Sequence, residues 1–409
     1  MTSSGGAGGT TTSSGTTTSS GGEGGSGAGS TTTSSGGAGA GGGGGSGPPP
    51  CALIATGFWH ACVRDDGGVT KCWGRNDYGQ LGDGSTTNQP SAASAVPIVD
   101  FANAVDIAAG AYHTCAVLPA GTVRCAGRNN DGQLGNNSTN DSPTPVDVMG
   151  LTNVVKVAAG NDHTCAVKSN GDEYCWGRNL YGNLGLGNTA TPQTTPQKVN
   201  DLATKVEKVA ALADNTCSLN KDGSLWCVGR DSSGELGNGM PNAQVNLPTQ
   251  VTSLSTSVVS VSATYYHVCA IKQDGSLRCW GANESSQLGD GTNVAKSTPV
   301  EILPSDVIDV AAGGVHTCAV KSGGDLWCWG ANQFGQLGDG TTTNQSLPTL
   351  ILSADFLKVS LGYEYSCAWK TDGYLYCWGK DDFGQLGNGS PVGPQSQPQQ
   401  IMQLCTTKL

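Results

Sequence analysis

Short apolar runs recur along the chain from residue 53 onward, each closed by glycine or a polar turn. One such run, Val154–Ala159 (VVKVAA), ends at Gly160 and is followed by an HTCAV segment and then by an xxCWG segment. A glycine turn such as Lys221-Asp222-Gly223-Ser224 joins those two segments, which is a hairpin signal. After the WG comes a polar loop like Arg75-Asn76-Asp77-Tyr78-Gly79-Gln80-Leu81-Gly82, then a proline-bounded weaker strand, for example Pro145-Val146-Asp147-Val148. The pattern predicts four short strands per unit, and no window carries a capped helical period.

The unit repeats seven times: HACVRDDGGVTKCWG (60–74), HTCAVLPAGTVRCAG (113–127), HTCAVKSNGDEYCWG (163–177), NTCSLNKDGSLWCVG (215–229), HVCAIKQDGSLRCWG (267–281), HTCAVKSGGDLWCWG (316–330) and YSCAWKTDGYLYCWG (365–379). The first cysteines lie 53, 50, 52, 52, 49 and 49 residues apart. Four-stranded units at this period predict an all-β, seven-bladed β-propeller, which closes on itself and leaves only short edges. The pattern V-A-A-G-x-x-H-T-C-A-V…D-G…W-G-x-N-x-x-G-Q-L-G-x-G resembles the RCC1 (regulator of chromosome condensation) repeat across all seven copies, residues 51 to about 405. That resemblance separately implies seven blades. Residues 406–409 form a short tail.

Fourteen of the sixteen cysteines form C-x9-C pairs: Cys62-Cys72, Cys115-Cys125, Cys165-Cys175, Cys217-Cys227, Cys269-Cys279, Cys318-Cys328 and Cys367-Cys377. Each pair flanks a hairpin turn, so its members face one another across two strands at nearly disulfide distance. Zinc would need four ligands at closer spacings, and reduced core thiols would not explain an even, regular set. Disulfides are expected. Aligning the two ends in the repeat frame brings the last pair, Cys51-Cys405, together as a bond locking the first blade to the last.

Composition changes the picture at the N-terminus. Residues 1–50 carry 20 Gly, 11 Ser and 10 Thr, too little apolar surface to offset ordering entropy, and read as a disordered tether. Eight disulfides imply an oxidising, extracytoplasmic compartment, secreted or surface-tethered. The opening MTSSGGAGG has neither a basic nor an apolar leader region, so a signal sequence upstream is expected, and the tether suits a surface lipoprotein. The net charge of −11 opposes nucleic acid and anionic membranes as partners. No apolar run is long enough to span a bilayer.

Candidate chemistry is sparse. All five histidines (His60, His113, His163, His267, His316) share one repeat position, which reads as a structural hydrogen bond at a strand start. Trp73, Trp176, Trp280, Trp329 and Trp378 read as inter-blade packing. The glycine loops lack the Lys-Ser/Thr of a phosphate loop, and Asp83-Gly84, Asp290-Gly291 and Asp339-Gly340 lack the ligand array of a calcium loop. No nucleophile elbow or metal motif stands out, so neither an enzyme nor a cofactor or metal is expected.

Variation between copies is the remaining signal. Loops after the first and third strands emerge on one side, and there the copies carry Phe58, Trp59, Tyr78, Tyr112, Tyr181, Tyr265, Tyr266, Phe334, Tyr363 and Phe383, with Leu180 beside them. Asp77, Asp131, Asp162, Glu284, Glu364, Asp381 and Asp382 share the face. Aromatic anchors in a polar surround are what protein interfaces use, and loops on a rigid scaffold are where binding concentrates. The function expected is a non-enzymatic, monomeric interaction scaffold binding an unidentified protein. The alternatives are an inhibitor of a secreted enzyme, as the family's secreted β-lactamase inhibitors suggest by resemblance, or glycan binding. The family's guanine-nucleotide exchange role is opposed by the acidic charge and the disulfides.

Overall fold

The computed structural model describes residues 53–202, 204–353, 355–389, 391 and 393–405. They form seven antiparallel sheets in chain order, six of four strands and one of three. The first strands are Leu53–Thr56, Asp106–Ala109, Val154–Ala159, Val206–Ala211, Val258–Ala263, Val307–Ala312 and Phe356–Leu361. Each packs on the first strand of the next sheet, so these strands line the central channel and the fold is a seven-bladed propeller. The expected low-complexity segment 1–50, and Cys51, lie outside the described residues.

The core is divided seven ways, and each part belongs to two neighbouring blades. Ala158, Cys165 and Leu184 of blade 3 pack with Val206, Val209 and Ala211 of blade 4. Ile54, Val63 and Trp73 of blade 1 pack with Trp369, Leu375 and Leu404 of blade 7, which closes the ring. No blade buries its apolar faces alone, which is why a unit of about fifty residues must be repeated until it closes.

Blade 1 departs from the four-strand expectation. Its third strand, Thr70–Gly74, has no regular outer neighbour, only the isolated bridges Lys71–Pro97 and Gly74–Gln89. Pro90 and Pro97 remove ladder donors from that segment, and a 3-10 turn, Val99–Phe101, buries Phe101 in place of a strand. The segment is held from blade 7 instead, where the Ala92 N–H donates to the Gly387 carbonyl at 3.0 Å.

In every copy the two hairpin cysteines are direct cross-strand partners, and all seven pairs are disulfides with Cα–Cα separations of 4.1 Å. Cys405 is itself disulfide-bonded; its expected partner, Cys51, lies outside the described residues.

The shared histidine position is a blade-to-blade staple. His163 Nε2 meets the Thr216 hydroxyl of the next blade at 3.0 Å, and Thr216 donates its only proton to the Asn183 carbonyl at 2.7 Å. The histidine must therefore donate through Nε2, which fixes the neutral tautomer. Burial lowers its affinity for a second proton, to a pKa of about 4, and to about 3 at His60, His113, His267 and His316. Those four reach Thr114, Thr164, Thr317 and Ser366 in the same way. The WG tryptophans add a second clamp, as where Trp176 Nε1 donates to the Gln133 carbonyl of the preceding blade at 2.9 Å. Both residue sets hold blade to blade, as their repetition suggested.

Candidate functional site: the aromatic loop face

The loops after the first and third strands do share one face: Tyr78 of the second kind lies 5.2 Å from Tyr112 of the first, and Phe383 lies 5.9 Å from Trp59, ring centre to ring centre. Ring contacts join Phe58, Trp59, Tyr78, Tyr112, Tyr265, Tyr266, Tyr363 and Phe383 in one cluster, and tertiary packing gives these rings different duties.

Phe58 is buried at the centre of the cluster. Its ring lies 4.6 Å from that of Tyr265, on blade 5, and 5.3 Å from that of Tyr363, on blade 7. These three rings reach across the channel and line a void of only about 10 Å³ beneath them, barely one water-sized sphere. Burial raises the Tyr363 hydroxyl to a pKa of about 12, with the neighbouring Tyr266 and Glu364 adding to the shift. Burial also holds the Tyr265 hydroxyl well above its ordinary value. These rings plug the channel.

The outer rings take part in a ladder that the sequence reading missed. The residue directly after each WG or equivalent glycine is Arg75, Arg128, Arg178, Arg230, Ala282, Ala331 or Lys380. Four of these cations lie over the aromatic ring in the loop of the preceding blade. Arg75 covers Phe383 at 4.7 Å, Arg128 covers Tyr78 at 5.7 Å, Arg230 covers Tyr181 at 5.3 Å and Lys380 covers Phe334 at 4.4 Å. Where that loop carries Ser233 or Ser285 instead of a ring, the next blade carries Ala282 or Ala331 instead of a cation. At six of the seven junctions ring and cation are present or absent together, each pair worth about 0.5–2 kcal/mol according to burial; at the seventh, Arg178 follows Asp131 in place of a ring. That co-variation between neighbouring copies was the sequence signal available.

The acidic residues also divide. Asp162, buried, sits between Arg128 at 3.1 Å and Arg178 at 3.6 Å. Glu364 takes Lys380 at 2.7 Å and Asp77 takes Arg75 at 2.6 Å, so the face is a mosaic of ion pairs and not simply acidic. Asp381 is a correction: it is buried and belongs to the loop. It replaces the asparagine of the N-x-x-G loop, whose Oδ1 accepts the leucine N–H five residues on, here from Leu386 at 3.0 Å. Burial pushes the Asp381 carboxyl up to about 6. The aspartates of the D-G loops are likewise internal braces; Asp290 Oδ1 accepts from Thr292 and from Asn283.

Tyr266 stands apart. It is 38 % exposed, the most open ring of the face, and Ala282 occupies the place where its own blade would carry a cation. Trp59 and Tyr112, at the equivalent position, both lie under Arg75.

Together these features define a disulfide-stapled, seven-bladed propeller with a rigid aromatic and ion-paired loop face. The RCC1-like domain family matches residues 188–409, and the regulator of chromosome condensation (RCC1) repeat matches residues 72–117 and 121–167; the chain belongs to this family. Among curated relatives it is 32% identical over 56% of its length to the ultraviolet-B receptor UVR8 of Arabidopsis thaliana, covering 52% of that protein. It is 29% identical over 59% of its length to the human E3 ubiquitin-protein ligase HERC2, covering 5% of it. The matched part thus spans about half of the first of these relatives and a small fraction of the second. Among solved structures, human WBSCR16 superposes with a TM-score of 0.73 at 23% identity, over 81% of this chain and 92% of that one. Yeast RCC1, in a structure with Kap60 bound to it, gives 0.72 at 23% identity over 84% of each chain. At that identity the likeness shows the fold alone.

Proposed function

We propose that this chain is an exported protein-interaction propeller whose partner docks on the aromatic loop face. The observation that carries this reading is the arrangement of that face: a locked cluster of rings around the channel mouth, edged by ion pairs, with Tyr266 projecting from it. Pre-ordered aromatic residues within a polar rim lower the ordering cost of association. The seven hairpin disulfides and the bonded Cys405 support a working place in an oxidising compartment. The relatives' names are consistent with propellers that serve protein assemblies, since yeast RCC1 has been crystallised with Kap60 bound.

Glycan binding is the weaker reading. Sugars stack on open ring faces, and here guanidinium and ammonium groups already cover Trp59, Tyr78, Tyr181, Phe334 and Phe383. An inhibitor of a secreted enzyme is a special case of the protein-binding reading.

The test is affinity capture from extracellular and envelope fractions with the oxidised chain, beside a Trp59→Ala, Tyr266→Ala variant that leaves the Phe58 plug intact. A protein retained by the parent and lost from a variant of near-parental melting temperature supports the reading. Equal capture by both, or none by either, removes the loop face as the docking site.

A further inference from the structure

The loop face repeats one pairing that blade 5 leaves half made. In five blades the residue before the shared histidine position meets the cation that follows the closing glycine of its own third strand. Trp59 lies under Arg75 at 5.1 Å and Tyr112 under Arg128 at 5.7 Å, ring centre to guanidinium carbon. Asp162 and Asp214 take Arg178 and Arg230 at 3.6 and 3.5 Å, and Glu364 takes Lys380 at 2.7 Å. Blade 6 carries Val315 and Ala331, and so has neither member. Blade 5 alone keeps the acceptor, Tyr266, and has Ala282 in place of the cation.

A second residue of blade 5 is left in the same condition. Two residues after the cation position, blades 1 and 7 carry acids that pair with it, Asp77 with Arg75 at 2.6 Å and Asp382 with Lys380 at 3.5 Å. Blade 5 carries Glu284 there; it is exposed and forms no ion pair among the described residues. The backbone is unchanged: the Ala282 N–H donates to the Tyr266 carbonyl at 2.7 Å, as the Arg75 N–H does to that of Trp59 at 2.8 Å. Ring and carboxylate thus flank one cation position, as Trp59 and Asp77 flank Arg75.

Ala282 is itself buried, so the blade has no hole to fill. What stays open is the ring. Tyr266 is exposed, whereas Trp59 and Tyr112, each under a guanidinium, are half-buried. The Tyr266 ring lies 5.1 Å from that of Tyr265, and its hydroxyl shares a hydrogen bond with that of Tyr363. A ring already held in this way loses little further freedom when a ligand covers it.

We propose that an arginine side chain of the docked protein completes blade 5, its guanidinium lying over Tyr266 and paired with Glu284. This deepens the docking reading above and rests on it. Arginine fits better than lysine, because its planar group stacks on a ring and offers paired donors to a carboxylate at the same time. An acidic side chain in that place would meet the charge of Glu284, and an apolar one would cover the carboxylate without pairing it.

The experiment is an NMR titration of the full, oxidised chain, its tyrosine rings isotope-labelled, with blocked arginine (the acetylated amide) at constant ionic strength. Tyr266→Phe assigns the ring signal, and blocked citrulline, of the same length and without charge, is the control. Blocked arginine should shift the Tyr266 signal saturably in the millimolar range, with citrulline at least about fivefold weaker. Glu284→Gln should weaken arginine binding about threefold. Ala282→Arg restores the residue that four other blades carry and should abolish binding, by supplying the cation from within. No saturable shift at Tyr266, equal shifts from citrulline, or undiminished binding by either variant would overturn the proposal. Should Ala282→Arg fail to fold, Glu284→Gln, at an exposed position, still decides it. A protein captured on the loop face without arginine binding at Tyr266 overturns this inference and leaves the docking reading standing. Arginine binding with nothing captured supports the site and removes the docking reading.

Discussion

Glu173 gives the sharpest test of how the repeat tolerates exceptions. It lies two residues before the second hairpin cysteine, where the other copies carry Thr70, Val123, Leu225, Leu277, Leu326 and Leu375. The side chain is 2 % exposed and Oε2 has no hydrogen bond among the described residues. Burial pushes the carboxyl up to about 7, opposed only by a hydrogen bond from Ser218. A folded-state pKa raised from 4.5 to about 7 means that the native protein holds a proton which the unfolded chain releases across that interval. Stability linked to this group is therefore complete below about pH 4.5 and is lost as the pH rises through 7. The loss at pH 8 is about 3 kcal/mol, at 1.36 kcal/mol per unit. Glu173→Leu removes that loss and restores the residue that four other copies use. It should raise the melting temperature by about 4 °C at pH 8, given the entropy of unfolding of a body this size, and by much less at pH 4. Calorimetry of both proteins at the two pH values, disulfides intact, is the measurement. A variant no more stable than the parent at pH 8, or a gain equal at both pH values, would refute the reasoning.

Three further outcomes follow from the same structure. Asp231 replaces the loop asparagine in copy 4; it accepts the Leu236 N–H but has no amide to donate, and its Oδ2 is buried without a partner among the described residues. Asp231→Asn should stabilise by about 1–3 kcal/mol in chemical denaturation near neutral pH, and less in acid, because burial raises this carboxyl. Gly387 has φ of +73°, and a Cβ there would stand 2.5 Å from Trp73 Nε1 across the ring closure; Gly387→Ala should lower stability by more than about 2 kcal/mol, read as a shifted denaturation midpoint. If Cys51 closes the ring onto Cys405, Cys51→Ser should release one titratable thiol and cost up to about 5 kcal/mol of stability; absence of a new thiol in the denatured, unreduced protein would count against that pairing.

Much of the fold was legible in the sequence because the unit is repeated. Seven copies of C-x9-C around a glycine turn fix the hairpin, its register and its disulfide, since cross-strand pairing is local and cysteines that close over one turn have few other partners. Repetition also marked His163 and Trp176 as structural before either was seen to reach the neighbouring blade. The irregular outer edge of blade 1 was less legible. Pro90 and Pro97 were visible, but whether the segment forms a strand depended on Gly387, from the far end of the chain, taking its hydrogen bond.

The site was legible only by face. The strand alternation and loop order determine that Trp59, Tyr78 and Tyr363 emerge on one side, because in an antiparallel blade every second connection does so. What each ring does there was decided by tertiary structure. Phe58 meets Tyr265 across the channel, and Arg75 lies over Phe383, only because seven blades close and bring residues hundreds of positions apart into contact. Ring closure alone sets the distances between side chains of different blades, and with them pairings such as Arg128 with Asp162 that no single repeat contains.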